Sequence, residues 1–227
     1  MFKYLLNSNF VLNYLLKNIK AKKIREFYGE KFLSPIESFV LFGYNKKLYS
    51  DLDLDNQSIA IVLGGYLGYS AREIYENYAC NIIIFEPVPE FAAVLKEKFS
   101  QAHIEIIQRA AGTEDNEINF VVDGESSGIN SYGRENITVQ SVNFSKFVRE
   151  INNVIDLLEI NIEGAEYDVI LQLIETGEIG KIRILIVQFH NQKLEDEYRR
   201  ALVRQKLRGS HVEVFCFPWV WEKWIIR

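Results

Sequence analysis

The feature that most constrains this chain is a short apolar run, residues 59–63 (IAIVL), that leads directly into a cluster of glycines. The run is too short for a helix and rich in β-branched residues, which predicts a strand buried on both faces. The cluster consists of Gly64, Gly65 and Gly68. Residues without Cβ atoms let a ligand approach the backbone, and the N–H groups of a following helix favour anionic or polar groups. The sequence therefore predicts a ligand site at this turn.

Two features after the turn extend this interpretation. Ser70 with Glu73 matches a capping box, which predicts a helix over residues 70–78. A second apolar strand, residues 81–85, ends in Glu86, and an acid at this position holds ribose hydroxyls in α/β nucleotide sites. A tight structural turn with a solvated Glu86 is the alternative.

Composition and charge limit the classes of protein to which the chain can belong. Its 227 residues allow one α/β domain with an appendage. The net charge of −5 argues against a globally basic nucleic-acid-binding protein, so we expect no nucleic-acid partner. No apolar run has the length of a membrane span, and the Asn- and Lys-interrupted N-terminus predicts no signal peptide. Cys80 and Cys216 show no metal or redox spacing, which predicts a cytoplasmic protein.

Residues 1–31 differ from the rest of the chain in charge. They hold seven Lys or Arg and two Glu residues, a net charge of +5, so the remainder carries −10. Apolar residues recur at helical spacing within residues 2–19, and a basic helical stretch follows at 21–32. We predict an N-terminal helical extension, residues 1–55, ahead of a main domain, residues 56–227. The extension either packs on the domain or on a second copy in a homo-oligomer, or lies as a peripheral contact on the inner face of an anionic membrane.

From residue 56 onward, predicted strands and helices alternate. The predicted strands are 59–63, 81–85, 103–107, 117–122, 137–142, 154–162, 182–190, 211–217 and 219–226. The predicted helices are 70–78, 89–99, 143–151, 163–175 and 193–207. This order predicts a doubly wound α/β fold with a mostly parallel, seven-stranded sheet and an antiparallel C-terminal hairpin. The Gly-, Ser- and Asn-rich segment 123–136 is interpreted as a loop over a site or as a simple connection.

Five segments after residue 56 form a set that is typical of one family. They are LGGYLGYS (63–70), FEPVPE (85–90), RAAGTEDNEINF (109–120), LLEINIEGAEYDVI (157–170) and LIVQFH (185–190). Together they resemble the FkbM family of S-adenosylmethionine (SAM)-dependent methyltransferases. Within them INIEGAE, residues 160–166, resembles the most specific signature of the family. VWEKW, residues 220–224, is similar to members found with bacterial surface-polysaccharide genes.

The resemblance implies a fold, a cofactor and roles for particular residues. The fold is the Rossmann-like class I SAM-methyltransferase fold, the cofactor is SAM, and the reaction is O-methylation, often of a sugar hydroxyl. The expected acceptor is therefore a sugar or glycan, with a lipid-linked intermediate as one form. The glycine cluster is expected to cradle the methionine part of SAM, and Glu86 its ribose. The residues expected to line the adenine are Gln108, Arg109 and Ala110.

Two departures from the family pattern concern charged positions. The family carries an Asp ahead of its glycines where this chain has Val62, which removes one anchor for the SAM amino group. The family has Lys-Ile-Asp before its Glu-Gly, where this chain has Glu159, Ile160 and Asn161. These departures keep open a second hypothesis, a methyltransferase-fold binding or scaffold module with weakened catalysis. An NAD-dependent oxidoreductase is disfavoured because the glycines lack the G-x-G-x-x-G spacing.

The predicted catalytic residues are His190, Glu163 and Asn161. His190 ends the predicted strand 182–190, and an ordinary histidine pKa suits a base near neutrality. A structural histidine is the alternative. Glu163 and Glu166 are also favoured by a helix dipole whatever their role, and Asn161 is also a good N-cap. The sequence pattern gives only weak support for a metal held by Asn161, Glu163 and His190, so we predict no metal.

Overall fold

The computed structural model describes residues 34–100, 103–122 and 135–227. The chain divides into two compact units, residues 1–48 and 49–227, and each is described by itself. The helices predicted within residues 1–32 and the greater part of the loop predicted at 123–136 lie outside the described residues.

The described part of the first unit contains two short helices, α1 (Pro35–Leu41) and α2 (Tyr44–Lys47). Helix α1 begins with a reciprocal capping box. The Glu37 N–H donates to Ser34 Oγ over 3.3 Å, and the Ser34 N–H donates to Glu37 Oε2 over 3.0 Å. Pro35 follows at the first helical position, where its missing N–H is not needed. Gly43, at a φ of +76°, ends this element and separates it from α2.

The second unit is built on a seven-stranded sheet. Its strands are β1 (Ile59–Leu63), β2 (Asn81–Phe85), β3 (Ile104–Ile107), β7 (Ile155–Ile160), β8 (Ile182–Val187), β9 (His211–Phe217) and β10 (Trp221–Ile226). Their spatial order is β3-β2-β1-β7-β8-β10-β9. The first five pair in parallel, whereas β10 pairs antiparallel with both β8 and β9. The predicted sheet and its closing hairpin are confirmed.

A second, three-stranded sheet lies between β3 and β7 in the chain. It consists of β4 (Ala110–Gly112), β5 (Glu117–Val122) and β6 (Glu135–Asn143), in the order β4-β6-β5. Its small apolar cluster is formed by Val88, Ala110, Phe120 and Val139. The predicted strand 117–122 therefore belongs to this sheet. Strand β4 was not predicted, because three residues are too few to show a pattern.

Five α-helices connect the strands of the second unit. They are α3 (Tyr69–Tyr78), α4 (Pro89–Lys98), α5 (Phe144–Glu150), α6 (Glu166–Glu175) and α7 (Asp196–Leu207), with a 3₁₀ turn at Glu178–Lys181. The capping box predicted from Ser70 and Glu73 is wrong. Helix α3 begins at Tyr69, and its N-cap is Gly68, at a φ of +74°, with no side-chain cap. The left-handed glycine turns the chain into the helix one residue before Ser70.

The central strands are apolar because they are covered on both faces. Four consecutive residues of β1, Ala60 to Leu63, are fully buried, as are Leu157, Leu158 and Ile160 of β7. Burying one such aliphatic side chain stabilises the fold by about 1.5–3 kcal/mol. The strands thus form a rigid base for the loops that follow them. No helix among the described residues is long and apolar enough to cross a membrane.

Candidate active site

The five parallel strands end in one row at the same edge of the sheet. Leu63 of β1 is in register with Phe85 and with Ile160, and Ile107 and Val187 complete the row. The predicted site residues that follow these ends are Gly64, Gly65, Glu86, Gln108, Asn161, Glu163 and His190. The structure therefore brings them to one edge, which is where open α/β sheets bind their ligands.

The glycine turn, residues 64–68, has no room for side chains. A Cβ atom on Gly64 would lie 2.1 Å from the backbone oxygen of Asn161, and Gly64 also has a φ of +90°. A Cβ on Gly65 would lie 2.4 Å from a methyl carbon of Ile84, and one on Gly68 would lie 2.6 Å from the Phe99 ring. The glycines therefore let the turn lie against the end of β7 and against α4. Gly64 is only half-buried, so its backbone can be approached by a ligand.

Glu86 is buried and holds the glycine turn through backbone groups. Its side chain accepts hydrogen bonds from the N–H of Tyr66 at 2.7 Å and from the N–H of Val88 at 2.9 Å. Tyr66 has a φ of +43°, so this bond supports a backbone conformation that is unusual for a residue with a Cβ. Burial raises the pKa of Glu86 to about 7, although these backbone donors lower it in part. A solvated Glu86 is excluded, since the residue is 4% exposed.

The loop between β7 and α6 has a backbone that sequence reasoning did not anticipate. Glu163 has a φ of +51° and Gly164 a φ of +101°. Helix α6 therefore begins only at Glu166, and its N-cap is Ala165, so the interpretation of Asn161 as an N-cap is wrong. The Asn161 N–H instead donates to Leu63 O over 3.0 Å, which joins this loop to the end of β1.

A carboxylate–histidine cluster, formed by Glu163, His190 and Glu166, joins this loop to the chain after β8. His190 Nε2 lies 3.1 Å from Glu163 Oε1, and His190 Nδ1 lies 3.2 Å from Glu166 Oε1. The same Glu166 oxygen accepts the His190 backbone N–H at 2.7 Å, and Glu166 Oε2 accepts the Gly164 N–H at 2.7 Å. Glu166 is completely buried, whereas 14% of the Glu163 side chain is exposed. His190 is exposed to a similar extent, 13%, so Glu163 and His190 are the members of the cluster that a ligand can reach.

The cluster changes the protonation of His190. Burial alone would lower the pKa of His190, but the hydrogen bonds and charges of Glu163 and Glu166 outweigh burial and raise that pKa to about 10. The imidazole is therefore an imidazolium near neutrality, with both ring nitrogens donating. The prediction of an ordinary pKa is wrong. So is the expectation that His190 ends a strand, because β8 ends at Val187.

Two residues that sequence reasoning missed support the cluster. Gln192 Nε2 donates to Glu163 Oε2 over 3.1 Å, so both Glu163 oxygens are oriented. Tyr167 Oη donates to the His190 backbone oxygen over 2.5 Å, and the Tyr167 ring stacks on Phe189. Neither contact has a signal in the sequence, since each joins segments that are distant along the chain.

The residues predicted to line the adenine are placed in two environments. Gln108 and Arg109 follow β3 directly and are exposed. Ala110 belongs to β4 and is buried in the apolar cluster of the small sheet. Gln108 lies beside Glu86 at the site edge, because the Glu86 N–H donates to Ile107 O over 3.1 Å. These roles stay predictions.

The residues present fit a SAM-type cofactor. The glycine turn brings backbone without side chains to the end of β1, where Gly64 is half-buried, and Glu86 offers a buried carboxyl group at the tip of β2. The amide oxygen of Asn161 is buried and has no hydrogen-bond partner among the described residues, so it can accept a donor from a ligand. Within the same part of the chain, no three His, Cys, Asp or Glu side chains form a metal-binding group.

Comparisons with known structures support this fold. One similar structure is that of a proposed methyltransferase from Streptococcus mutans in complex with S-adenosylhomocysteine. It superimposes with a TM-score of 0.53 at 10% identity, and the alignment covers 87% of this chain and 100% of that chain. A proposed rRNA methylase from Clostridium thermocellum gives a TM-score of 0.50 over 82% and 97%, at 8% identity. At these identities the likeness shows the fold alone. A search of curated proteins found no match.

A family comparison is more specific. The profile of the Methyltransferase FkbM domain matches residues 63–212, which is more than half of the chain. The match begins at the last residue of β1 and ends in β9, so it includes the glycine turn, Glu86 and the carboxylate–histidine cluster. The chain belongs to the FkbM family of SAM-dependent methyltransferases, as its motifs and its predicted cofactor indicated.

Proposed function

We propose that this methyltransferase transfers the methyl group of SAM to a hydroxyl oxygen of a sugar, within a glycan or glycolipid intermediate of surface-polysaccharide biosynthesis. The observation that carries the proposal is the carboxylate–histidine cluster at the site edge. It places a partly exposed carboxylate, Glu163, on the loop whose Asn161 N–H donates to the last residue of β1, directly before the glycine turn. A base beside the cofactor cradle is what O-methylation requires.

The cofactor half of the site would hold SAM through the glycine turn and Glu86. SAM supplies a methyl group on a good sulfonium leaving group, so the protein mainly has to orient the acceptor. Well-oriented approach contributes on the order of 7–11 kcal/mol at the extreme. The strands that carry both halves of the site end at the same sheet edge, which supports such an orientation.

The acceptor half would remove the hydroxyl proton. His190 is charged near neutrality and cannot accept it, so we assign the base to Glu163. A carboxylate suffices, because the hydroxyl oxygen becomes strongly acidic as its bond to the methyl carbon forms. His190 and Gln192 each bind one Glu163 oxygen and so orient the carboxylate. Base catalysis of this kind contributes typically about 10²–10⁴-fold in rate.

The polar character of the acceptor half supports a sugar as the acceptor. Glu163, Gln192 and Asn161 offer carboxylate and amide groups rather than an apolar surface. Such groups match the hydroxyls of a carbohydrate, each of which both donates and accepts. The resemblance to family members that methylate sugar hydroxyls points in the same direction.

The proposal is tested with SAM that carries an isotopically labelled methyl group. The purified protein is incubated with glycans from cells that lack its gene, and labelled products are identified by mass spectrometry. We expect the label on a sugar hydroxyl, and a Glu163→Gln protein should transfer far less. Label on nitrogen or carbon, or on a molecule without a sugar, would overturn the proposal.

A catalytically weakened binding module is the second candidate. It is favoured by Val62 and by the amide at Asn161, whose oxygen has no partner among the described residues. The two candidates differ in one variant. Asn161→Asp should raise the rate of methyl transfer if the amide is a defect, and lower it if the site is adapted to the amide. A protein that binds SAM but transfers no methyl group to any glycan, even as Asn161→Asp, would favour the module.

We further propose that the basic residues 1–31 either contact the inner face of the membrane, beside a lipid-linked acceptor, or pack within the protein or a homo-oligomer. The basis is their net charge of +5 on an otherwise acidic chain. Full-length protein and protein lacking these residues are compared for sedimentation with anionic vesicles at low and high salt. Salt-sensitive sedimentation of the full-length protein alone supports membrane contact, and its absence supports packing.

A further inference from the structure

A buried carboxyl group with an open acceptor site lies on β7. Glu159 is 2% exposed, and its Oε1 accepts a hydrogen bond of 2.9 Å from Tyr49 Oη. Its Oε2 is also buried and has no hydrogen-bond partner among the residues that the structure describes. A buried carboxyl oxygen without a donor costs free energy. A ligand that brings a donor to Oε2 would recover that free energy.

The position of Glu159 on β7 is close to the glycine turn. Glu159 is in register with Val62 of the neighbouring strand, and Val62 lies two residues before Gly64. In-register residues on adjacent strands point to the same face of a sheet. The hydroxyl of Ser70, in the first turn of α3, also acts on the Glu159 carboxyl group. Glu159 thus lies beside the strand that enters the glycine turn and near the start of the helix that leaves it.

No cationic side chain among the described residues acts on Glu159. The titratable groups that act on it are Tyr49, which donates to it, and Glu73 of α3, which is also acidic. Burial raises the pKa of Glu159 to about 7, and the hydrogen bond from Tyr49 and the nearby Ser70 hydroxyl oppose this only in part. No Lys or Arg in the described part of the chain forms an ion pair with it. The carboxyl group is therefore suited to a positively charged donor.

We propose that Glu159 binds the ammonium group of the methionine part of SAM, and so supplies the acid that is missing at Val62. An ammonium group would give Oε2 its donor and compensate the buried charge. The departures at Val62 and Glu159 then have one explanation. The acid is lost from β1 and is regained at the in-register position of β7, where Tyr49 orients it. This proposal rests on the SAM dependence of the proposed function and not on its acceptor.

The test measures binding of two ligands by calorimetry. One is S-adenosylhomocysteine, and the other is its analogue in which hydrogen replaces the amino group. Glu159→Gln should weaken S-adenosylhomocysteine by about 10- to 100-fold and leave the analogue unchanged, because only the first ligand has the ammonium group. Glu76→Gln, which removes an exposed carboxyl group from α3, is the matched control and should change neither affinity.

Equal weakening of both ligands by Glu159→Gln would show a merely structural role, and unchanged binding of both would show no role. Either result overturns the proposal. If Glu159→Gln does not fold, Glu159→Asp replaces it in the test. Its side chain is one methylene shorter, so the carboxyl group lies farther from the ligand, and we expect the same ligand-selective loss. No acceptor is present in the assay, so a failure of sugar methylation leaves its outcome unaffected.

Discussion

The two halves of the site are held in place by different means. The cofactor half is positioned by backbone: glycines without room for a Cβ, and a buried Glu86 that accepts backbone N–H groups. The acceptor half is positioned by side chains: His190 lies between Glu163 and Glu166, and Gln192 orients Glu163 from the other side. A cofactor is common to many enzymes of this fold, whereas acceptors differ. Side-chain positioning lets the acceptor half change without altering the glycine turn.

The largest expected effect is on the rate of methyl transfer. Glu163→Gln removes the base that we assign and retains the shape of the side chain, so kcat should fall by about 10²–10⁴-fold with SAM affinity unchanged. Glu175→Gln, which alters an exposed carboxylate on α6, should leave kcat unchanged. Steady-state kinetics with the identified acceptor provide the measurement. A loss of less than tenfold would remove Glu163 from the role of base.

The next effect concerns the backbone of the cofactor half. Gly64→Ala places a Cβ against the Asn161 backbone oxygen at a positive φ, so we expect a loss of about 3 kcal/mol or more in the free energy of unfolding, measured by chemical denaturation. Gly177→Ala is the matched control, because Gly177 has a φ of +81° but nothing within 4 Å of its Cβ position. That variant should lose only about 1 kcal/mol. Equal losses would show that the contact with Asn161 is unimportant.

The third effect is on the pH dependence of the free energy of unfolding, to which the acceptor half contributes through His190. The pKa of His190 is raised from 6.5 to about 10 in the folded protein, so its contribution to stability is complete below pH 6.5 and is lost as the pH rises through 10. We expect this contribution to be on the order of a few kcal/mol at most. The free energy of unfolding should therefore fall more steeply between pH 7 and 10 for the native protein than for His190→Gln. Parallel pH profiles would contradict the charged cluster.

The smallest expected effect is on cofactor affinity. Glu86→Ala removes the predicted acceptor of the ribose hydroxyls and the support of Tyr66, so SAM binding should weaken by about 1–3 kcal/mol. Calorimetry at neutral pH gives the value. Glu90→Ala, an exposed acid in the first turn of α4, should have no effect. If Glu86→Ala binds SAM with unchanged affinity, Glu86 does not bind the ribose, and its role is limited to its hydrogen bonds with backbone N–H groups.

The strands that carry the cofactor half were predictable from the sequence, whereas the contacts within the acceptor half were not. The strand before Gly64 and the strand before Glu86 are continuous apolar runs, so their order and the edge at which they end follow from local pattern. The capping box at Ser70 shows the limit of such patterns, since Gly68 starts the helix earlier. The protonation of His190 depends on Glu163 and Glu166, which approach it from another loop. The bond between Tyr49 and Glu159 joins residues 110 positions apart, and no local pattern encodes it.

The protonation state of His190 tests most directly whether the acceptor half is a charged cluster. Nitrogen-detected NMR of the histidine side chains gives that state, and the His190→Gln variant assigns its signals. The chain has three histidines, and burial lowers the pKa of one of the others, His211. We predict that both ring nitrogens of His190 carry protons at pH 8 and that the ring titrates near pH 10. Titration of His190 at or below its ordinary pKa of about 6.5 would contradict the cluster and return His190 to the role of base.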